Sequence, residues 1–343
     1  MSSIKNLVRP NILSLMPYTS ARDEFSGKKG TFLDANENPY GTLNRYPDPY
    51  QKELKDGLAS LKKTSAENIF IGNGSDEVID LALRIFCVPA KDKVLTFSPT
   101  YGMYEVSAAI NDIELIKIPL TEEFQIDLKS VESYLSDASI KIIFICSPNN
   151  PSGNSINNDD IKYILNRYKG IVIIDEAYID FSPHGSWISL LPNYPNLIIS
   201  QTFSKAWGLA AARIGTAYAS NEVITLYNRV KPPYNVSELN QKAASEVLNN
   251  WQKVESQRQA ILEEKSYMIK ELKKLVLVKK IYPSDANFIL IEVADVDRLY
   301  EDLLNEKIIT RNRNSVVRNC LRITIGTGKE NKLLLAALKN IES

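Results

Sequence analysis

Ile171-Val-Ile-Ile-Asp175-Glu176-Ala-Tyr178 is a four-residue apolar run that ends abruptly in two carboxylates. A run this short, β-branched and stopped by charge, reads as a strand of a buried parallel sheet. Comparable runs occupy residues 68–71, 93–97, 141–146 and 196–199, each leading into a polar turn. Segments of helical period separate them, the signature of a mostly parallel sheet with crossover helices. The class expected is therefore α/β, and in such sheets ligands collect where strands end.

Beyond Lys231-Pro-Pro233 the texture shifts to long charged amphipathic helices, above all over residues 238–278, followed by strand-like segments at 287–292 and 321–325. These predict a smaller C-terminal α+β unit. At 343 residues the chain exceeds what one core usually serves. The Pro- and Asn-rich stretch 36–49 reads as an extended arm, of the kind that often reaches a neighbouring subunit.

Composition narrows the partners. Lys plus Arg and Asp plus Glu each total 41, so no net charge draws the molecule to nucleic acid or to an anionic membrane, and a small-molecule ligand is expected. Cys87, Cys146 and Cys320 lack zinc or redox spacing and are expected to be reduced and buried. His184 is the only histidine, which excludes a multi-histidine metal centre, and no metal site is expected. Neither a cationic apolar leader nor an apolar run of membrane-spanning length is present, so the expected location is cytoplasmic.

Four strand-end turns could carry chemistry. Asp175 or Glu176 can hold a cationic partner, while that segment alone reads rather as a surface turn or as the acidic strand end of a nucleotide hydrolase. In Ser200-Gln-Thr202-Phe-Ser204-Lys205-Ala-Trp-Gly208, hydroxyls and a lysine, with Arg213 further on, suit a bound phosphate, while a lone Ser-Lys pair is usually a solvated helix start. Cys146-Ser-Pro-Asn-Asn150-Pro-Ser-Gly153 forces a tight turn that fixes Asn150, or is a plain β-turn. Ile71-Gly-Asn-Gly74-Ser75-Asp76 opens an amphipathic helix whose N-terminus can face an anion; Asp76 and Glu77 are also ordinary helix-start residues. The four alternatives are independent coincidences, and the order and joint presence of the turns is what is specific.

On these turns the chain resembles the fold-type I pyridoxal-phosphate (PLP) dependent aminotransferases of class II, and among them the histidinol-phosphate aminotransferases, over nearly its whole length. Further stretches that carry the resemblance are Leu15-Met-Pro-Tyr18-Thr-Ser-Ala-Arg22, Asp34-Ala-Asn36-Glu-Asn38-Pro-Tyr-Gly, Arg45-Tyr46-Pro47, Pro99-Thr-Tyr101-Gly-Met-Tyr and Leu321-Arg322-Ile-Thr-Ile-Gly-Thr. Ser152, where threonine is frequent, and Trp207-Gly208 after the lysine are departures that remove no reacting group.

The resemblance implies a homodimer with an N-terminal arm over residues 1–44, a large PLP-binding domain over 45–233 and a small domain over 234–343. It implies that Lys205 tethers the cofactor and moves the proton at the substrate Cα, that Asp175 pairs with the ring nitrogen, that Tyr178 and Asn150 reach the ring's 3′ oxygen, and that Tyr101 stacks on the ring. The cofactor phosphate would meet backbone N–H groups at Gly74, Ser75 and Asp76, the hydroxyls of Thr202 and Ser204, Arg213, and Tyr46 from the partner subunit. Arg311 and Arg322 would bind substrate anions, with Tyr18 and Asn36 lining the same pocket. The implied reaction interconverts L-histidinol phosphate plus 2-oxoglutarate and imidazole-acetol phosphate plus L-glutamate. An aromatic amino-acid aminotransferase, a phosphothreonine decarboxylase and a non-catalytic PLP-fold regulatory protein stay open.

Overall fold

Alternation along each buried strand sends successive side chains to opposite faces, and that parity decides where the site forms. The computed structural model describes residues 4–18 and 30–342, so Thr19 to Arg22 of the N-terminal motif lie outside the described residues. The larger sheet comprises β1 Ile69–Asn73, β2 Lys93–Ser98, β3 Glu114–Pro119, β4 Ile140–Cys146, β5 Ile171–Asp175, β6 Leu197–Thr202 and β7 Ile214–Tyr218, in the order β1-β7-β6-β5-β4-β2-β3. β2 to β6 pair in parallel, whereas β7 is antiparallel to both neighbours. The sequence reading contains neither β3 nor β7. Glu-Leu-Ile-Lys-Ile-Pro carries charge at the sheet edge, and Ile-Gly-Thr-Ala-Tyr is diluted by small residues, so neither shows as an apolar run.

Helices α1 Pro10–Leu13, α2 Lys52–Lys62, α3 Ser75–Phe86, α4 Met103–Ile110, α5 Leu128–Val131, α6 Asn158–Arg167, α7 Asn221–Val230 and α8 Glu238–Asn249 accompany this sheet. Val172 and Ile174 of β5 share one core with Ile143, Ile145, Ile161 and Ile164, and with Ala244 and Leu248 of α8. Ile171 and Ile173 share the other with Ile142, Phe144, Val78, Ala82, Tyr104 and Tyr227, and with Ile4, Val8 and Ile12 of the N-terminal segment. Each fully buried Val, Ile or Phe among them stabilises by about 1.5–3 kcal/mol relative to exposure. By the same parity the residue that ends β5, Asp175, falls on the second side, among α3 and α4.

The smaller unit is an antiparallel sheet, β8 Val278–Ile281, β9 Phe288–Val293, β10 Arg311–Asn312 and β11 Cys320–Thr324, in the order β10-β11-β9-β8. Helices α9 Trp251–Leu272, α10 Val296–Asn305 and α11 Gly328–Glu342 cover it. Val254 at one end of α9 packs into the first core of the large sheet, while Met268 and Leu272 at the other end enter the small core, so this helix bridges the two units.

Candidate active site

The ends of β4, β5 and β6, the start of α3 and one residue of β11 converge on a cavity of about 210 Å³. It is lined by Ser75, Asp76, Tyr101, Cys146, Asn150, Asp175, Ala177, Tyr178, Thr202, Ser204, Lys205, Arg213 and Arg322. The four strand-end turns thus meet in one place.

Of the two carboxylates after β5, only Asp175 serves the cavity. It is 3% exposed; its Oδ2 accepts the Tyr104 hydroxyl at 2.8 Å and its Oδ1 accepts the Ala177 amide at 3.1 Å. Burial pushes its pKa up to about 6, against the downward pull of Tyr104, Ala177 and Lys205. Glu176 points the other way and is consumed by structure, accepting Ser186 Oγ at 2.6 Å, the Trp187 amide at 2.7 Å and Gln201 Nε2 at 2.8 Å. Lys205 Nζ stands 5.6 Å from the Tyr178 ring centroid and makes no hydrogen bond or ion pair among the described residues. Burial first, then Arg322 and Arg213, lowers its pKa against the pull of Asp175 and Asp76.

At the α3 end the backbone itself forms the wall. Gly74 has φ +81°, and Gly215 of β7 lies so close behind it that a Cβ there would sit 2.2 Å from both Gly74 C and Ser75 N. The first amides of α3 are left for an anion, as at any helix start. Asp76 turns its carboxylate aside, accepting the Tyr101 hydroxyl at 3.0 Å and Arg213 Nη2 at 3.3 Å. Thr202 Oγ1 accepts the Ser204 amide at 3.2 Å.

The turn that carries Asn150 is held through the residue before it. Asn149 Nδ2 donates to Pro99 O at 3.0 Å and Ser152 Oγ at 2.8 Å, and its Oδ1 accepts Thr100 Oγ1 at 2.9 Å. Arg322 reaches across from the small sheet to donate to Asn150 Oδ1, and its guanidinium carbon lies 5.1 Å from the Phe288 ring centroid. Its Nε is buried without a hydrogen-bond partner among the described residues. Arg311 faces Arg322 in the β10–β11 register, and neither has a carboxylate partner among the described residues.

Other expected residues stand apart on this chain. Tyr46 stacks on Tyr234 at 4.3 Å and, with Asn36, lines a separate groove of about 450 Å³. Tyr18, 70% exposed, borders a third recess with Tyr50 and Lys231. Gly74 contributes through the adjoining Ser75, and Arg311 does not line the cavity. His184 is exposed, and all three cysteines are buried free thiols. Sequence reasoning assigned no role to Tyr104; its i, i+3 spacing from Tyr101 across the start of α4 was the available signal.

Pyridoxal-type chemistry on a parallel sheet is what such a cavity accommodates, and the chain belongs to the aminotransferases of class I and II, whose family profile matches residues 28–338. More particularly, it is 52% identical to the histidinol-phosphate aminotransferase of Parabacteroides distasonis, over 100% of both chains. The histidinol-phosphate aminotransferase of Cytophaga hutchinsonii is 50% identical over 98% of this chain and 99% of its own. Among solved structures, histidinol-phosphate aminotransferase from Clostridium acetobutylicum superposes with a TM-score of 0.80 at 28% identity, covering 88% of this chain and 91% of that one. No helix among the described residues is long and apolar enough to cross a membrane.

Proposed function

We propose that this chain transfers an amino group between L-histidinol phosphate and 2-oxoglutarate, with pyridoxal phosphate held on Lys205, as a step of histidine biosynthesis in the cytoplasm. The carrying observation is a lysine amine with no partner among the described residues, in one cavity with a buried carboxylate, a helix start at one end and Arg322 at the other. Those groups fit the cofactor. Asp175 is a buried anion with no cation in hydrogen-bond contact, the α3 amides with Thr202, Ser204 and Arg213 suit a phosphate, and Tyr101, Tyr178 and Asn150 flank the space between.

When bound, pyridoxal phosphate supplies an aldehyde that condenses with amines and a ring that takes up the electron pair released at a substrate Cα. Lys205 supplies the amine, and its lowered pKa favours the neutral form that accepts the Cα proton. Asp175 keeps a proton on the ring nitrogen by offering that N–H a charge in a dry site. Asn150, pinned by Asn149 and Arg322, orients the 3′ side of the ring together with Tyr178. Arg322 and Arg311, two guanidinium groups lacking carboxylate partners among the described residues, suit the substrate's phosphate or carboxylate. Leu43 and Leu239, exposed along the Tyr46 groove, support a homodimer in which Tyr46 of the partner subunit, and with it Asn36 and Tyr18, completes the site.

The test combines a spectrum with a substrate panel. Wild type mixed with pyridoxal phosphate should acquire the visible absorption of a lysine-bound cofactor, and Lys205→Ala should not. With 2-oxoglutarate, histidinol phosphate should turn over faster than phenylalanine, and phosphothreonine should release no carbon dioxide. Absorption that persists in K205A sinks the tether, and preference for phenylalanine sinks the substrate.

A further inference from the structure

Tyr104 is wholly buried, and its hydroxyl donates to Asp175 Oδ2 at 2.8 Å, with the Cys146 thiol beside it. A tyrosine hydroxyl so placed has to donate somewhere, because leaving it unpaired in the core is costly. The ring cannot swing away. It stacks on Phe144 of β4 at 4.8 Å and 10°, and meets Tyr101 edge-on at 5.7 Å and 88°. Tyr101 is itself tied through Asp76 to Arg213. The two tyrosines of Tyr101-Gly-Met-Tyr104 therefore grip the two aspartates of the cavity, one each.

We propose that Tyr104 is a positioning residue for Asp175, its buried hydroxyl aiming the carboxylate at the cavity and holding it ionised for a ring N–H. The inference rests on the cofactor reading above. A carboxylate oxygen has two acceptor sites. Tyr104 takes one on Oδ2 and the Ala177 amide one on Oδ1, which fixes the plane of the group and leaves acceptor capacity toward the cavity. The groups that face Asp175 from the surrounding elements are Cys146 of β4, Ser200 of β6, Asp76 of α3, Tyr101, Tyr178 and Lys205. Among them Lys205 is the one cation, and it is to be consumed by the cofactor. The thiol of Cys146 is pushed up to about 12 by burial and stays neutral, and burial likewise holds the Tyr104 hydroxyl protonated. Once Lys205 is engaged, Tyr104 and Ala177 are the protein donors hydrogen-bonded to Asp175 that favour its charged form against burial, beside the ring N–H it would hold.

The experiment is a double-mutant cycle of Tyr104→Phe and Asp175→Asn on the cofactor-loaded enzyme, with kcat, KM for the amino donor and the pyridoxal phosphate dissociation constant measured against pH. Phe keeps the ring packing and removes one hydroxyl. Y104F should lower kcat about tenfold with KM changed less than about twofold, and should move the low-pH loss of cofactor affinity upward by roughly one pH unit, the size of one hydrogen bond to a charge. In the D175N background the same substitution should change neither readout. An equal loss in that background assigns Tyr104 to packing alone and overturns the proposal, as does a Y104F enzyme matching wild type in kcat and pH midpoint. Wild type that forms no lysine-bound cofactor instead refutes the cofactor reading itself, so the two failures are told apart.

Discussion

Gly215→Ala places one methyl group where β7 backs onto the start of α3, and its effect can be worked from two distances. The added Cβ would lie 2.2 Å from Gly74 C, 2.2 Å from Ser75 N and 2.6 Å from Gly74 O. All three are backbone atoms, so no side-chain rotation relieves the overlap. Gly215 is also paired on both sides, with Gly72 of β1 and Thr202 of β6, so β7 cannot shift without disturbing two ladders. Overpacking of a dense core costs about 1–3 kcal/mol, and a backbone overlap of this depth belongs at the upper end. With an unfolding entropy of about 2.1 cal/mol/K per residue, 3 kcal/mol lowers the melting temperature of a 343-residue chain by roughly 4 °C. The atoms displaced are the amides that face the expected cofactor phosphate, and loss of one or two charge-assisted hydrogen bonds weakens binding by about ten- to a hundredfold. Scanning calorimetry and titration of the apoprotein with pyridoxal phosphate measure both effects. Gly102→Ala is the control, since a Cβ there meets nothing within 4 Å and the change should stay within about 0.5 kcal/mol. A G215A protein with wild-type melting temperature and cofactor affinity would refute the close-approach argument.

The remaining predictions use the carboxylates and Arg322. Asp175 titrates at about 6 in the native apoprotein against 3.8 for the ordinary side chain, so the folded state holds its proton more tightly than the unfolded chain. Its stabilising contribution is therefore complete below about pH 4 and lost toward pH 6, and D175N apoprotein should gain on wild type over that window by up to about 3 kcal/mol. Urea midpoints whose difference stays constant from pH 4 to above pH 6 would contradict this. Glu176→Gln turns an amide toward three donors and should cost about 1–3 kcal/mol in urea denaturation with kcat little changed, because that carboxylate does not line the cavity. Arg322→Lys keeps the charge but loses the fork that spans Asn150 and a substrate anion, so KM for histidinol phosphate should rise at least tenfold; an unchanged KM would remove Arg322 from substrate binding.

Much of the site was legible because its residues are punctuation. Asp175, Asn150, Lys205 and the Gly74-Ser75-Asp76 turn all interrupt apolar runs, and a polar group at a strand end shows in a linear reading. Tyr104 did not show, since a tyrosine on an amphipathic helix is ordinary core until its acceptor is known, and that acceptor lies 71 residues away. Glu176 misleads in the opposite sense, for only the parity of β5 and the approach of Ser186, Trp187 and Gln201 separate it from Asp175.

By itself the sequence determined the elements whose cause is local: buried runs of period two, helices with one apolar face, and turns demanded by Gly, Pro and Asn. The joint order of the four turns also carried the resemblance to a family, and that resemblance is what implied the chemistry expected of Lys205. The tertiary structure decided what depends on pairing between distant segments. Glu114–Pro119 and Ile214–Tyr218 become strands only because neighbours offer them a ladder, β7 antiparallel on both sides. Arg322 enters the cavity only because the small sheet packs against the turn that carries Asn150. Lys205 had looked like an ordinary Ser-Lys helix start. Its exposure to two carboxylates and two arginines, with no partner of its own among the described residues, is a property of the tertiary fold, where burial and long-range contacts set the charge balance that no local stretch of chain encodes.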